Sequence, residues 1–183
     1  TYELTYPAPG APALAEQAAG LLHSAGLPAQ VDGEYGFDHG TFVPLKVAFP
    51  DADIPVVEMS LDASLDPALH LAAGRALAPL REQGVLIIGS GLSFHNMAVM
   101  RNPALAAYSV DFDHWLTAAA ATPAEERTAL LAQWEHAPNA RHAHPREEHL
   151  IPLMVAAGAS GAAGTMDYSE SMMGSAISAY RFA

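Results

Sequence analysis

The most informative segment of this 183-residue chain reads Gly84-Val85-Leu86-Ile87-Ile88-Gly89-Ser90-Gly91-Leu92-Ser93-Phe94-His95-Asn96. Four consecutive apolar residues, three of them β-branched, lie between two glycines. This pattern is typical of a strand that is buried on both faces, in the middle of a sheet covered by helices. We therefore predict an α/β fold whose central sheet is mostly parallel or mixed and carries helices on both faces.

The end of this predicted strand is a candidate functional position. A Gly-Ser-Gly turn follows the apolar run, and His95 comes four residues after Gly91. In open α/β sheets, ligands bind at the carboxyl ends of the strands. His95 is therefore a candidate site residue; the alternative is a loop histidine that caps a backbone group.

The neighbouring segments support a parallel arrangement. Residues 54–61 form a second candidate for a buried strand, and residues 66–83 are predicted to be a helix that begins at an Asp N-cap followed by proline. Strand, helix and strand at this spacing form a βαβ unit. We also predict helices over residues 13–25, 41–49 and 108–120, another helix starting at Pro123, and a last strand over residues 172–182.

A short loop contains a second candidate histidine. Glycines at positions 36 and 40 flank Phe37-Asp38-His39, which indicates tight turns around His39. Asp38 either orients the imidazole of His39 or caps the helix that follows, and the two roles are compatible.

Residues 141–149 contain three histidines, two glutamates and two arginines. Pro145 and the acidic residues after it predict a helix that runs to residue 157, with His149 one turn inside it. Metal binding by a neutral imidazole is one interpretation, and a solvated helix start with incidental histidines is the other. We interpret four further histidines as structural or surface residues: His23, His70, His114 and His136.

Composition narrows the class of function. Eight Lys and Arg residues against 20 Asp and Glu residues give a formal charge of −12, which argues against nucleic-acid or anionic-membrane partners. The chain has no cysteine, so any metal is held by histidine and carboxylate, as suits iron, zinc or manganese. No apolar run reaches the roughly 20 residues of a membrane span, and no signal peptide is visible, so we predict a cytoplasmic protein.

Several motifs together resemble those of one enzyme family. In order along the chain they are Tyr6-Pro7-Ala8-Pro9-Gly10, Gly36-Phe37-Asp38-His39-Gly40, Pro50-Asp51-Ala52-Asp53-Ile54-Pro55, Gly89-Ser90-Gly91 with His95-Asn96, Pro145 through His149, and Ser178-Ala179-Tyr180-Arg181-Phe182. The chain resembles class III, LigB-type extradiol ring-cleavage dioxygenases, and within them the branch of the DOPA 4,5-dioxygenases.

This resemblance implies an enzyme that cleaves a catechol with O2 and uses non-haem Fe(II), with zinc in some preparations. It implies that His149, in the Pro-x-x-Glu-His motif, is a metal ligand. His95 resembles the active-site histidine beside the metal, which acts as acid and base or as an additional ligand. His39 resembles a second catalytic histidine that contacts substrate or oxygen.

The sequence also departs from the family. The His-Gly-Ser/Ala-Pro and Ser-Ala-His-Trp motifs, which supply two metal histidines, do not occur in it. We therefore predict that residues 1–183 form a single catalytic domain that lacks the family's N-terminal portion, with further histidine ligands upstream of Thr1. The expected partners are a catechol and O2, with either a homo-oligomer or a second chain that supplies the missing part.

Two other classes of function remain open from the sequence. A non-catalytic subunit or scaffold would keep the fold without a complete metal site. A zinc hydrolase would need three ligands at one place, and this chain offers at most two; we rank it last.

Overall fold

The structure, a computed structural model, describes residues 5–183. It divides into two units, Thr1–Ser60 and Leu61–Ala183.

Residues 5–60 of the first unit contain two helices, α1 (Pro12–Ser24) and α2 (His39–Ala48). Both confirm the sequence prediction to within two residues. The carboxylate of Asp38 accepts a hydrogen bond from the backbone N–H of Thr41, so its N-cap role is confirmed. Gly10 and Val56 form an isolated parallel bridge. Val56 is the residue of the predicted second strand, residues 54–61, that takes part in this pairing.

The second unit holds six helices among the described residues. They are α3 (Pro67–Leu77), α4 (Met97–Met100), α5 (Ala106–Ala120), α6 (Ala124–Ala132), α7 (Ala140–Ala143) and α8 (Ile151–Gly158). Short 3-10 turns occupy Ala78–Gln83, Pro103–Leu105 and Trp134–His136. As predicted, the Asp66 side chain caps α3, and Gly84, at φ 82°, ends the helical stretch in the left-handed conformation that glycine adopts without strain.

Two glycines bring α3 and α8 into backbone contact. A Cβ on Gly74 would lie 2.1 Å from the carbonyl oxygen of Val155, and a Cβ on Gly158 would lie 2.3 Å from that of Leu71. No larger residue fits at either position without moving a helix, so the pair of glycines determines how closely the two helices pack. The hydrophobic core of the unit lies around them and is built from α3, α5, α6, α8 and the segments between them.

The chain ends in an antiparallel hairpin of β1 (Gly164–Met172) and β2 (Ser175–Phe182). Met173 and Gly174 connect the strands, and both have positive φ angles, as a tight hairpin turn requires. The predicted last strand over 172–182 is thus confirmed for most of its length, and its partner β1 covers residues that the sequence analysis left unassigned.

The predicted central sheet is not confirmed. Within residues 5–183 the sheet consists of β1 and β2 alone, and Val85–Ile88 is not assigned to a strand. Leu86 is 70% exposed and Ile88 is 52% exposed, so the expectation of burial on both faces is wrong for the described residues. The physical reason is that no described strand lies beside this segment to pair with its backbone.

The predicted helix over 145–157 begins later than expected, at Ile151. Proline is tolerated only in the first turn of a helix, and a helix from residue 145 would place Pro152 in its interior. In addition, the carbonyl of His149 accepts a hydrogen bond from the backbone N–H of Leu92. His149 therefore precedes α8 instead of lying one turn inside a helix.

Candidate active site

Two histidines that are distant in sequence meet in the second unit. The ring centroids of His95 and His149 are 3.6 Å apart, with the ring planes tilted by 39°. Both side chains are half-buried. The two residues that the sequence analysis selected from separate motifs therefore form one site.

Backbone contacts hold the segment that carries His149 against the segment that carries His95. The N–H of Leu92 donates to the carbonyl of His149 over 3.0 Å, and the N–H of His95 donates to that of Ala143 over 3.1 Å. Gly91 makes the approach feasible, since a Cβ there would lie 2.1 Å from the carbonyl oxygen of His149. The Gly-Ser-Gly turn is thus required by close packing of two backbones.

Asn96 strengthens the same junction. Its side-chain amide donates to the carbonyl of His142 over 2.8 Å, while its Oδ1 accepts from the N–H of Ala98 at the start of α4. The side chain of Asn96, the residue after His95, therefore caps α4 and also joins it by a hydrogen bond to the histidine-rich segment.

His144 is a residue whose role the sequence analysis did not identify. It is fully buried, and its Nε2 lies 3.0 Å from the carbonyl oxygen of Ser93, to which it donates. The rings of Phe112 and Trp134 approach it edge-on. Burial lowers the pKa of His144 to about 4, and the hydrogen bond to Ser93 partly opposes that shift. His144 is therefore neutral near pH 7. Its hydrogen bond to Ser93 fixes the backbone two residues before His95.

The remaining candidate histidines are described in turn by their own surroundings. His39 is exposed at the first position of α2, in the unit formed by Thr1–Ser60. The histidines expected upstream of Thr1 lie outside the described residues. His23, His114 and His136 are exposed, and His70 is buried with its Nε2 accepting from the N–H of Asp62, so all four fit their interpretation as structural or surface residues.

The imidazole nitrogens at this site are suitable ligands for a divalent metal, but the described residues supply too few of them to hold one. Imidazole nitrogen suits iron and zinc. Among residues 5–183, however, no group of three or more histidines or carboxylates is placed to hold a metal ion. His95 and His149 are thus at most part of a ligand set.

A cavity of about 400 Å³ adjoins this site. Its lining includes His149, Leu153 of α8, the backbone segment Val85–Gly89, and Tyr180 of β2. Two arginines line the cavity. Arg81 donates to the carbonyls of Ala159 and Phe182, and Arg181 pairs with Asp167.

A family model describing the catalytic LigB subunit of aromatic ring-opening dioxygenase matches residues 1–182. The chain belongs to the LigB family. It is similar to 4,5-DOPA dioxygenase extradiol of Beta vulgaris, with 41% identity over 163 residues that cover 87% of this chain and 60% of the relative. The protein of the same name from Escherichia coli K12 is 34% identical over 162 residues, covering 86% of this chain and 59% of the relative. This LigB chain therefore spans about three fifths of the length of these curated relatives.

The fold also matches a solved structure. A crystal structure of the uncharacterized protein JW3007 from Escherichia coli K12 aligns with a TM-score of 0.85 and 33% identity, covering 100% of this chain and 77% of that chain. These findings confirm the resemblance to the DOPA-dioxygenase branch of the LigB family. No helix among residues 5–183 has the length and apolar character needed to cross a membrane.

Proposed function

We propose that this LigB chain carries part of the active site of an extradiol dioxygenase, which opens the ring of a DOPA-like or other catecholic substrate with O2. The observation that carries the proposal is the 3.6 Å approach of His95 and His149. Each comes from a different motif that the family resemblance associates with the catalytic centre. A scaffold has no need to bring these two side chains together across 54 residues of chain.

In this proposal Fe(II), or zinc, would be held by His149 together with histidines from outside the described residues, with His95 beside it as the acid and base or as an additional ligand. When bound, such a metal would supply charge stabilisation for the catecholate and activation of O2. As acid and base, His95 takes the proton of a catechol hydroxyl as the substrate binds and returns it later in the reaction, the role that histidine fills most often in enzymes. His39 contacts the substrate or oxygen, as a second catalytic residue.

The test compares three histidine variants in the purified protein. We expect His95→Ala to lower kcat/KM for ring cleavage by at least about 100-fold, the usual worth of a positioned acid and base. His149→Ala should weaken metal binding by more than about 100-fold, because the loss of a residue that only supports a ligand usually costs about 10–100-fold. The readouts are O2 consumption with DOPA and metal content by mass spectrometry.

His114→Ala is the matched control, because His114 is an exposed histidine of the same unit. It should leave both quantities unchanged. Full metal content in His149→Ala would remove this residue from the ligand set, and unchanged turnover in His95→Ala would remove the acid and base role. His39→Ala should lower turnover without changing the metal content.

A non-catalytic subunit of the same fold is the second candidate. The observation that favours it is the absence of three potential metal ligands at one place among residues 5–183. If this chain, combined with the segment that carries the outside histidines and supplied with Fe(II), DOPA and O2, neither retains metal nor consumes O2, this candidate replaces the first.

A further inference from the structure

Arg141 joins two carboxylates that come from separate turns of the LigB chain. It lies on α7, and its guanidinium donates to Oε2 of Glu147 over 2.7 Å and also to the carboxylate of Glu135. The same guanidinium covers the ring of Trp134, 4.7 Å from the centroid. Because Trp134 is fully buried in the core of the unit, the cation connects a fixed aromatic ring to the side chain of Glu147.

Glu147 begins the turn that carries His149. Its backbone carbonyl accepts hydrogen bonds from the N–H groups of Leu150 and Ile151, over 2.8 and 3.0 Å. His149 lies inside this turn, so a displacement of Glu147 moves the backbone of His149 with it. The carbonyl of His149 is held separately by the N–H of Leu92. The turn therefore has two attachments, one through the side chain of Glu147 and one through the backbone of His149.

The geometry of Arg141 differs from that of an ordinary surface ion pair. Two long exposed side chains usually move freely, which is why an isolated surface pair has little effect. Here the aromatic ring and the second carboxylate restrict the planar guanidinium, and the side chain of Glu147 is only 18% exposed. Without the cation, the carboxylates of Glu135 and Glu147 would repel each other. The expected consequence is a local displacement of the turn, with the fold retained.

Such a displacement would alter the contact between the two site histidines. The ring centroid of His149 lies 3.6 Å from that of His95. We propose that Arg141 is a positioning residue, which acts through Glu147 to hold the imidazole of His149 in its orientation beside His95. The effect of Arg141 on metal binding rests on the proposed function, in which His149 is a ligand, whereas its effect on the orientation of the ring does not.

NMR of the 183-residue protein tests the orientation without metal or substrate. Rings as close as those of His95 and His149 give a strong nuclear Overhauser cross-peak between their ring protons. We expect Arg141→Met, which keeps a long side chain but removes the charge, to reduce this cross-peak to less than half. Arg75→Met is the matched control, because Arg75 is an exposed arginine of α3, and it should leave the cross-peak unchanged.

A double-variant cycle shows whether the effect passes through Glu147. Glu147→Ala should weaken the cross-peak as much as Arg141→Met does, and the double variant should weaken it no further, because both changes remove the same contact. Glu147→Gln keeps an acceptor of the same shape and should retain most of the cross-peak. The midpoint of thermal unfolding should fall by no more than about 4 °C in each variant, as expected for the loss of a surface ion pair.

Zinc affinity provides a second readout. Zn²⁺ is titrated in calorimetry into this chain combined with the segment that carries the outside histidines. Arg141→Met should weaken zinc binding by about tenfold, the lower end of the usual cost of losing a residue that supports a ligand, since Arg141 acts through Glu147. Arg75→Met should leave the affinity unchanged.

Three results would overturn the proposal. The first is an unchanged cross-peak in Arg141→Met, and the second is additive losses in the double variant with Glu147→Ala. The third is a larger fall in the unfolding midpoint that accompanies the loss of the cross-peak, which would make Arg141 a merely structural residue. If the parent protein binds no zinc, the proposed function fails, and the cross-peaks still decide whether Arg141 positions His149.

Discussion

At the scale of single residues, His144 links pH to stability. An unfolded histidine binds a proton near pH 6.5, whereas burial lowers the pKa of His144 to about 4 in the folded protein. Between these values the unfolded chain holds more protons, so the free energy of unfolding decreases as the pH falls. The contribution of His144 to the free energy of unfolding is complete above pH 6.5. By pH 4 this free energy has fallen by about 3 kcal/mol.

Urea unfolding at pH 7 and pH 4.5 measures this effect. We expect His144→Gln to have a lower stability at pH 7 but a weaker dependence on pH, because the buried titrating group is gone. His114→Ala, which removes an exposed histidine, should keep the dependence of the parent protein. If His144→Gln and the parent protein had the same pH dependence of stability, His144 would not be the group responsible for it.

Gly91 provides a second prediction at this scale. The Cβ of an alanine there would lie 2.1 Å from the carbonyl oxygen of His149, so one of the two segments must move. We expect Gly91→Ala to lower the free energy of unfolding by about 1–3 kcal/mol, the usual cost of overpacking. Gly161→Ala is the control, since a Cβ at that position meets nothing within 4 Å and the change should cost less than about 0.5 kcal/mol.

At the scale of elements, Arg127 of α6 organises the end of α8. Its guanidinium is buried and donates to the carbonyls of Ala157, Ser160 and Ala162, with distances of 3.0, 2.6 and 2.6 Å. It also lies over the ring of Phe182, 5.0 Å from the centroid. One cation therefore satisfies the carbonyls that the end of α8 and the following turn leave open.

Removing this cation should destabilise the second unit. We expect Arg127→Met to cost about 3 kcal/mol in thermal or urea unfolding, because the buried carbonyls of Ala157 and Ser160 and the part-buried hydrogen bond to Ala162 lose their donor. Arg75→Met changes an exposed arginine at the end of α3 and should cost less than about 0.5 kcal/mol. Similar stability losses for the two variants would show that the buried hydrogen bonds do not carry the effect.

At the scale of the whole molecule, the hydrophobic core is unevenly distributed. Every member of the main core cluster, from Leu65 to Ile177, belongs to the unit Leu61–Ala183. In Thr1–Ser60 the buried hydrophobic residues among those described are Tyr6, Leu22 and Ala52. The capacity to bury apolar surface, which is the main driving force for folding, therefore lies in the second unit.

This distribution predicts different behaviour of two fragments. Residues 61–183, expressed alone, should retain helical circular dichroism and unfold cooperatively on heating. Residues 1–60 alone should show little helix and no cooperative transition, because α1 and α2 are too short to be stable without packing. A cooperative transition in residues 1–60, or its absence in residues 61–183, would contradict the prediction.

Features that depend on local chemistry could be predicted from the sequence. Asp38 and Asp66 cap the helices after them, Gly84 ends the 3-10 turn, and the helices α1, α2, α3 and α5 lie where their apolar spacing placed them. Each of these depends on side-chain and backbone contacts within a few residues. The family motifs likewise selected His95 and His149 before any geometry was known.

Features that depend on distant segments required the tertiary structure. The sequence does not show that His95 and His149 stack, that His144 is buried beneath Ser93, or that α8 starts at Ile151, because each results from packing between residues 91–96 and 142–152. The same reason explains the apolar run Val85–Ile88. Its composition is that of an inner strand, but hydrogen bonding in a sheet requires a neighbouring strand, and the described residues place none beside it.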